Sequence, residues 1–547
     1  MSIIEKIFFN GKVITVDAVQ PRAEAFAVTK GRFAAVGGNR EVLALRQAGT
    51  EVVDLGGATV LPGFNDSHMH LLSVGSGGEK ADLSSATSRQ ELVRLGREFL
   101  QGHTDRTWLL GRGWSQERFA DKAMPTRHDL DEIAADRPVY FVRVCGHVAV
   151  ANSRALALAG ITGDTAPPTG GQIDLDANGT PTGILRENAL GLVGNLLPTY
   201  SLDDYKRMFV AGAKTALRLG ITSVTSDDIG ELADAELKLE SLQELLCENR
   251  FPLRYNIQAR VSSPAQVEKL RELRERYTFP PQTVEFGPLK LMCDGSLGGR
   301  TAALNESYSD DPGNCGVAIL TQERINEMFA LAHALGWQVS AHAIGDRTME
   351  MLLEGFKYML RQRPEADARP RIIHAQITNQ SILEACRELG VVCDIQPIFV
   401  ANDHSFVERR VGKQRAKLSY AWKTMLDLGI AAGGGSDAPV ADCNPLLGLY
   451  AAVTRQDTAG NPPNGWLPEQ KLTLDEAIHL FTLGSAFASF HEHNRGSLSA
   501  HKLADFVVLS ADLTQIPSTA LKDITVLATY IGGECVYPAT NPEHAQR

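Results

Sequence analysis

No C-x-x-C pair occurs among the eight cysteines of the 547-residue chain, Cys145, Cys247, Cys293, Cys315, Cys386, Cys393, Cys443 and Cys535. Such scattered thiols exclude a thiolate metal knuckle and argue against a disulfide framework, so a reducing, cytoplasmic setting is expected. No apolar run approaches the roughly 18 residues of a membrane span. The opening MSIIEKIFFNGKVITVD has no long apolar core followed by a small-residue cleavage site, so it reads as mature sequence. Concentrated Lys and Arg are also missing. The formal charge is -11 with dispersed acidic residues, which excludes a nucleic-acid groove. Neither G-x-x-x-x-G-K-[ST] nor a dinucleotide fingerprint is present, so GGRTA and AAGGGSD do not mark nucleotide binding.

What is present is an ordinary globular composition, 44% hydrophobic and 22% charged, able to bury polar machinery in a core. At this length a single average domain is excluded, while a large α/β barrel with a satellite fits. The first sixty residues, KIFFNGKVITV, AEAFAVTKGRFAAVG and EVVDLGGATVLPG, alternate and are punctuated by turn residues as β-hairpins are. That texture returns in ADFVVLSADL and ITVLATYIGGECVY. The two tails, residues 1–61 and 491–547, are therefore expected to join in one small β-sandwich.

Between them, over 62–490, short apolar runs repeatedly give way to helical patterns, as in WQVSAHAIGD followed by RTMEMLLEGFKYMLRQ. Repeated strand–helix steps of this kind predict a (β/α)8 barrel, with polar residues at the run ends where active sites form. Residues 76–200 break the rhythm and are expected to be an inserted subdomain roofing the pocket. Its piece TGDTAPPTGGQIDLDANGTPTGILREN is expected to be a long loop.

The chemistry begins at PGFNDSHMHLLSVG. Two histidines at i and i+2 on a strand put both imidazoles on one face, so His68 and His70 can grip one metal ion. His342 in VSAHAIGD, His374 in RIIHAQ and Asp437 in AAGGGSD close further apolar runs, and the glycines let the backbone turn tightly beside a site. Four histidines and an aspartate at strand ends suit zinc or another divalent first-row metal. Lys290, in EFGPLKLMCDGSLGG, lies in a buried strand, where an ammonium is costly unless paired. A salt bridge to Asp294, snorkelling of the side chain and a catalytic role are all open to it.

As a set, GFNDSHMHL, LKLMCDGSLGGRTA, HAIGD, IIHAQ and GSDAP resemble the amidohydrolase superfamily, and within it the amidohydrolase family 3 branch that includes N-substituted formamide deformylases. The resemblance spans nearly the whole chain. It implies a distorted TIM barrel with His68, His70 and Asp437 on a more buried metal and His342 and His374 on a second. Lys290, carboxylated by CO2, would bridge the two ions, zinc being the expected metal; a one-metal form using part of the set is the alternative.

The expected reaction is hydrolysis of a C–N bond other than a peptide bond, in an amide, N-substituted formamide or cyclic amide. The metal acidifies water, and Asp437 shuttles its proton to the leaving nitrogen. Arg300 is a candidate for a substrate oxygen or for a structural ion pair. His147 in VCGHVAVANS and Glu187 in GILREN resemble further family signatures and are candidates to orient or cover the substrate. Gln376 and Gln396 could support the ligands, and Trp114 and Trp337 could wall the pocket or belong to the core. A lactonase or esterase, a deaminase or a decarboxylase could use the same site, and an inactive binding protein is the rival of another class. The expected partner is a small molecule; a homodimer is expected only because dimers are common.

Overall fold

The computed structural model describes residues 3–538 apart from 105, 231, 365 and 366. The outermost parts of the two expected sandwich segments, 1–2 and 539–547, lie outside the described residues.

Eight parallel strands form the centre: β1 (Phe64–Met69), β2 (Ile221–Gly230), β3 (Arg254–Arg260), β4 (Val284–Met292), β5 (Val339–Ala343), β6 (Arg371–His374), β7 (Val392–Ile395) and β8 (Ala431–Gly434), each paired with its neighbour in chain order. Their sequences read as short continuous apolar runs because both faces are covered. Every residue of β1, β5, β6 and β7 is buried, as expected where helices pack outside a parallel sheet. The crossover helices start at well-defined caps. Ser263, Thr321 and Asn379 each accept a backbone N–H of the first turn, of Gln266, Arg324 and Ile382, satisfying one of the donors a helix start leaves unpaired.

The last strand returns to the first. The Asp437 N–H donates to the His68 carbonyl at 2.8 Å, and the His70 N–H donates to that of Ala438 at 2.8 Å. Gly435 permits this approach: a Cβ there would lie 2.8 Å from the His68 nitrogen and 2.9 Å from Asp66 Oδ1. Inside the barrel, Arg371 joins Asp394 at 2.7 Å and the Ser67 carbonyl at 2.8 Å, tying β6, β7 and β1 together.

The chain ends do meet. Strand Thr59–Pro62 pairs antiparallel with Phe506–Leu509 and parallel with Lys12–Ile14. Against this sheet packs a four-stranded N-terminal one, around Phe8, Phe26, Phe33, Phe506 and Tyr530, with Phe506 and Tyr530 stacked at 4.4 Å.

The insertion is a subdomain with a six-stranded sheet of its own. Its Gly/Pro-rich piece is not one long loop, contrary to expectation. Gly171–Leu175 and Pro181–Glu187 pair as a hairpin, closed by the Asp176 N–H on the Thr180 carbonyl at 2.8 Å and by Gly179 at φ 75°. Asn178-Gly179 is the turn signal that outweighs the surrounding prolines. All eight cysteines are free. No helix among the described residues is long and apolar enough to cross a membrane.

Candidate metal centre

Each ligand candidate is delivered by a strand end on one rim of the barrel. His68 lies in β1 with His70 one residue beyond it, Lys290 in β4, His342 in β5 and His374 at the end of β6; Asp437 follows β8. All are buried except His70, which is partly open. His374 and Asp437 adopt φ of 82° and 56°, left-handed values that cost a non-glycine residue about 1–3 kcal/mol and persist where the surroundings impose them.

Asp437 Oδ1 lies 3.3 Å from His68 Nε2 and 3.1 Å from His70 Nε2. The ligand atoms of these three residues lie within 4.8 Å of one another. Imidazole tautomers follow from the opposite ring nitrogens. His70 Nδ1–H donates to the Asp227 carbonyl at 2.9 Å, His374 Nδ1–H to Gln396 Oε1 at 2.8 Å and His342 Nδ1–H to Asp294 Oδ1 at 2.9 Å. Their Nε2 atoms therefore face inward. That of His70 faces a carboxylate oxygen, a contact that needs a cation between, a proton or a metal ion. That of His342 is buried with no hydrogen-bond partner. The rings of His342 and His374 are 4.6 Å apart.

Burial keeps the imidazoles of His68, His342 and His374 neutral. It drives His342 and His374 well below the usual range and, with the Lys290 charge, lowers His68 to about 3. Burial would raise the Asp437 carboxyl, but His68 and His70 hold it well below the ordinary value. Four imidazoles with one ionised carboxylate, the rings of His70, His342 and His374 oriented from behind, fit a divalent first-row ion.

Lys290 does not take Asp294, one of the partners open to it from sequence. Its Nζ lies 2.9 Å from Asp227 Oδ2 and 3.2 Å from His68 Nε2. Asp294 is occupied by His342 and by the backbone N–H groups of Ala303, Ile344 and Gly345. Burial raises the Asp294 carboxyl to about 7 against the pull of those donors.

From the roof come His147 and Glu187, joined at 2.7 Å between Nδ1 and Oε2. Burial would lower His147, but Glu187 raises it to about 9. The His147 ring sits 4.8 Å from that of His342. Glu187 also carries a left-handed φ of 50°.

Other candidates lie elsewhere. Arg300 forks onto Asp310 at 3.2 and 3.1 Å and does not line the cavity over the centre; it takes the structural ion pair. Trp114 is core of the insertion, donating to the Phe141 carbonyl at 3.1 Å. Trp337 packs in the barrel core beneath Arg274, 3.9 Å from its ring centroid. Gln376 lines the cavity. Sequence reasoning missed Asp227, whose carboxyl is held below its usual range by Lys290 and Arg260 although burial opposes this; the SDD at the end of β2 was its signal. It also missed Asp66, which anchors Ser436 through Oγ at 2.6 Å beside the ligands.

The centre lies between two lobes. One, about 480 Å³, is lined by polar residues including Lys80, Arg112 and Arg260. The other, about 310 Å³, mixes Leu297, Phe399 and Phe406 with Arg118, Arg143 and Asp403. His147, His342, His374 and Asp437 line both.

Residues 51–537 match the model of a family described as the amidohydrolase family. The chain is 35% identical over 488 residues to YtcJ of Bacillus subtilis (strain 168), covering 89% of this chain and 90% of the relative. It is 28% identical over 554 residues to an N-substituted formamide deformylase of Arthrobacter pascens, covering 98% of each. Among solved structures, an uncharacterized metal-dependent hydrolase from Pyrococcus horikoshii OT3 superposes with a TM-score of 0.75 at 28% identity, covering 94% of this chain and 99% of that one.

Proposed function

This chain belongs to the amidohydrolase family, and from that premise we propose that it hydrolyses a C–N bond of an amide, an N-substituted formamide or a cyclic amide. Family membership and the metal-dependent hydrolase relative support hydrolysis with a divalent metal. The observation that carries the reading is the convergence of His68 and His70 Nε2 on the ionised Asp437 carboxylate, beside His342 and His374 rings that are held from behind through Nδ1. His68, His70 and Asp437 would hold one ion and His342 and His374 a second, zinc in both, with Lys290 between them as a carbamate. A single ion on the first three residues is the smaller form of the same site.

A divalent ion held there supplies Lewis acidity, which acidifies water and withdraws electrons from a carbonyl oxygen. The residues do the rest. Asp437, kept ionised by its histidines, takes the proton of the attacking water as the new C–O bond forms. It returns that proton to the nitrogen as the C–N bond breaks, so no charged amide anion departs. His147, kept protonated by Glu187, offers an N–H to the oxygen on which negative charge grows. The roof shields these exchanges from bulk water.

The test joins metal content, measured by plasma mass spectrometry on protein purified without chelator, to turnover of N-formyl and N-acyl amines with matched esters. About two zinc ions per chain and chelator-sensitive amide hydrolysis support the reading. Metal-loaded protein that cleaves esters alone overturns it.

A further inference from the structure

Two cations on the roof, Lys80 and Arg112, reach their opposite charges, Glu79 and Asp437, only through space. Lys80 immediately precedes strand Ala81–Asp82, and Arg112 lies on strand Leu109–Trp114, paired parallel to it with Arg112 opposite Asp82. Both side chains line the larger lobe beside the metal centre. Arg112 Nε is shut away from solvent with no hydrogen-bond partner. Neither residue forms an ion pair or a side-chain hydrogen bond among the described residues. The carboxylates of the lobe are otherwise engaged. Glu187 holds His147, Asp227 holds Lys290, Asp437 faces His68 and His70, and Asp228 accepts from Ser226, Tyr255 and the Leu72 N–H.

Two half-buried like charges that repel one another favour an anion that joins them. Burial lowers both, and the Arg112 charge lowers Lys80 further. An Arg fork beside a Lys point charge is the donor arrangement that carboxylate and phosphate oxygens accept.

The geometry points to a substrate-anion subsite formed by Lys80 and Arg112: the molecule cleaved at the centre carries a carboxylate or phosphate on one side of its scissile bond. The identity of that bond rests on the amide reading above; the anion subsite does not. It discriminates as buried donors do, by being left unpaired when a neutral analogue binds.

Two measurements test it, each on metal-loaded protein with melting temperatures recorded for every variant. The first compares kcat/KM for an N-acylglycine, the matching N-acylaminomethylphosphonate and the neutral N-acylglycinamide. Wild type should prefer one of the charged amides by about tenfold or more, and Arg112→Met and Lys80→Met should each collapse that ratio. The better charged substrate tells carboxylate from phosphate. The second, calorimetric binding of glutarate against glutaramide, needs no turnover. Glutarate should bind wild type and weaken about tenfold in each variant. A neutral preference in wild type, or glutarate binding that is absent or equal in all three proteins, overturns the subsite. Cleavage of no amide with glutarate binding lost in the variants overturns the amide reading and leaves the subsite standing.

Discussion

Lys290 Nζ lies 2.9 Å from Asp227 Oδ2, with neither side chain more than 2% exposed. A buried pair of this kind costs about 3–5 kcal/mol to break one-sidedly, because the remaining charge is stranded. In metal-free protein Lys290→Met should therefore lower the melting temperature by several degrees. In metal-loaded protein the same variant should lose the second ion and most turnover, since the carbamate that would bridge the ions is gone. Plasma mass spectrometry and scanning calorimetry read both effects. Full metal content with normal turnover would remove Lys290 from the centre.

Asp294 fixes His342 from behind through Nδ1 at 2.9 Å, which leaves the His342 Nε2 lone pair pointing inward. Loss of such an orienting group typically costs about 10–100-fold in metal affinity or activity. Asp294→Ala should weaken zinc affinity in that range, measured by competition with a chromophoric chelator. Asp66→Ala is the contrast: its carboxylate holds Ser436 and backbone rather than an imidazole, so its loss should lower stability before it lowers zinc affinity. Unchanged zinc affinity in Asp294→Ala would mean that His342 needs no orientation.

The ligand candidates were legible because strands expose chemistry with a simple period. His68 and His70 share a face by alternation, and His342, His374 and Asp437 each close an apolar run. The barrel was legible for the same reason, its strands being continuous apolar stretches. What sequence hid was pairing. Lys290 had Asp294 four residues away but takes Asp227 from β2, because Asp294 turns to His342. Arg300 sits next to a motif yet meets Asp310. Nothing in sequence marks Lys80 and Arg112, which line the cavity only because the roof folds over the barrel. The Asn178-Gly179 dipeptide is a hairpin signal in the sequence, but it stands in a Gly/Pro-rich stretch whose composition reads as loop.

Gly435 provides a test of the close contact between β1 and the segment after β8. A Cβ there would meet the His68 nitrogen at 2.8 Å and Asp66 Oδ1 at 2.9 Å, neither of which can swing away as a flexible side-chain tip can. Gly435→Ala should destabilise the protein by about 1–3 kcal/mol. It should also cut metal content, because His68 and Asp437 are hydrogen-bonded through this junction. Thermal melting and metal analysis on the same preparation check it. A neutral effect on both would show that the junction relaxes freely.

Asp437→Asn separates holding from proton transfer. The amide keeps the shape and an oxygen that can face the ion, so folding and much of the metal content should survive; the melting temperature of loaded protein should move by only a few degrees. The proton path does not survive, because a carboxamide oxygen is too weak a base to take a proton from water. Turnover should fall by about 10²–10⁴-fold, the usual worth of a positioned acid–base group, with KM changed far less. The fall should be smaller for amides with an electron-poor leaving nitrogen, which depart without full protonation. Equal loss across leaving groups would make Asp437 a ligand alone, and intact turnover would pass the proton transfer to another residue of the centre.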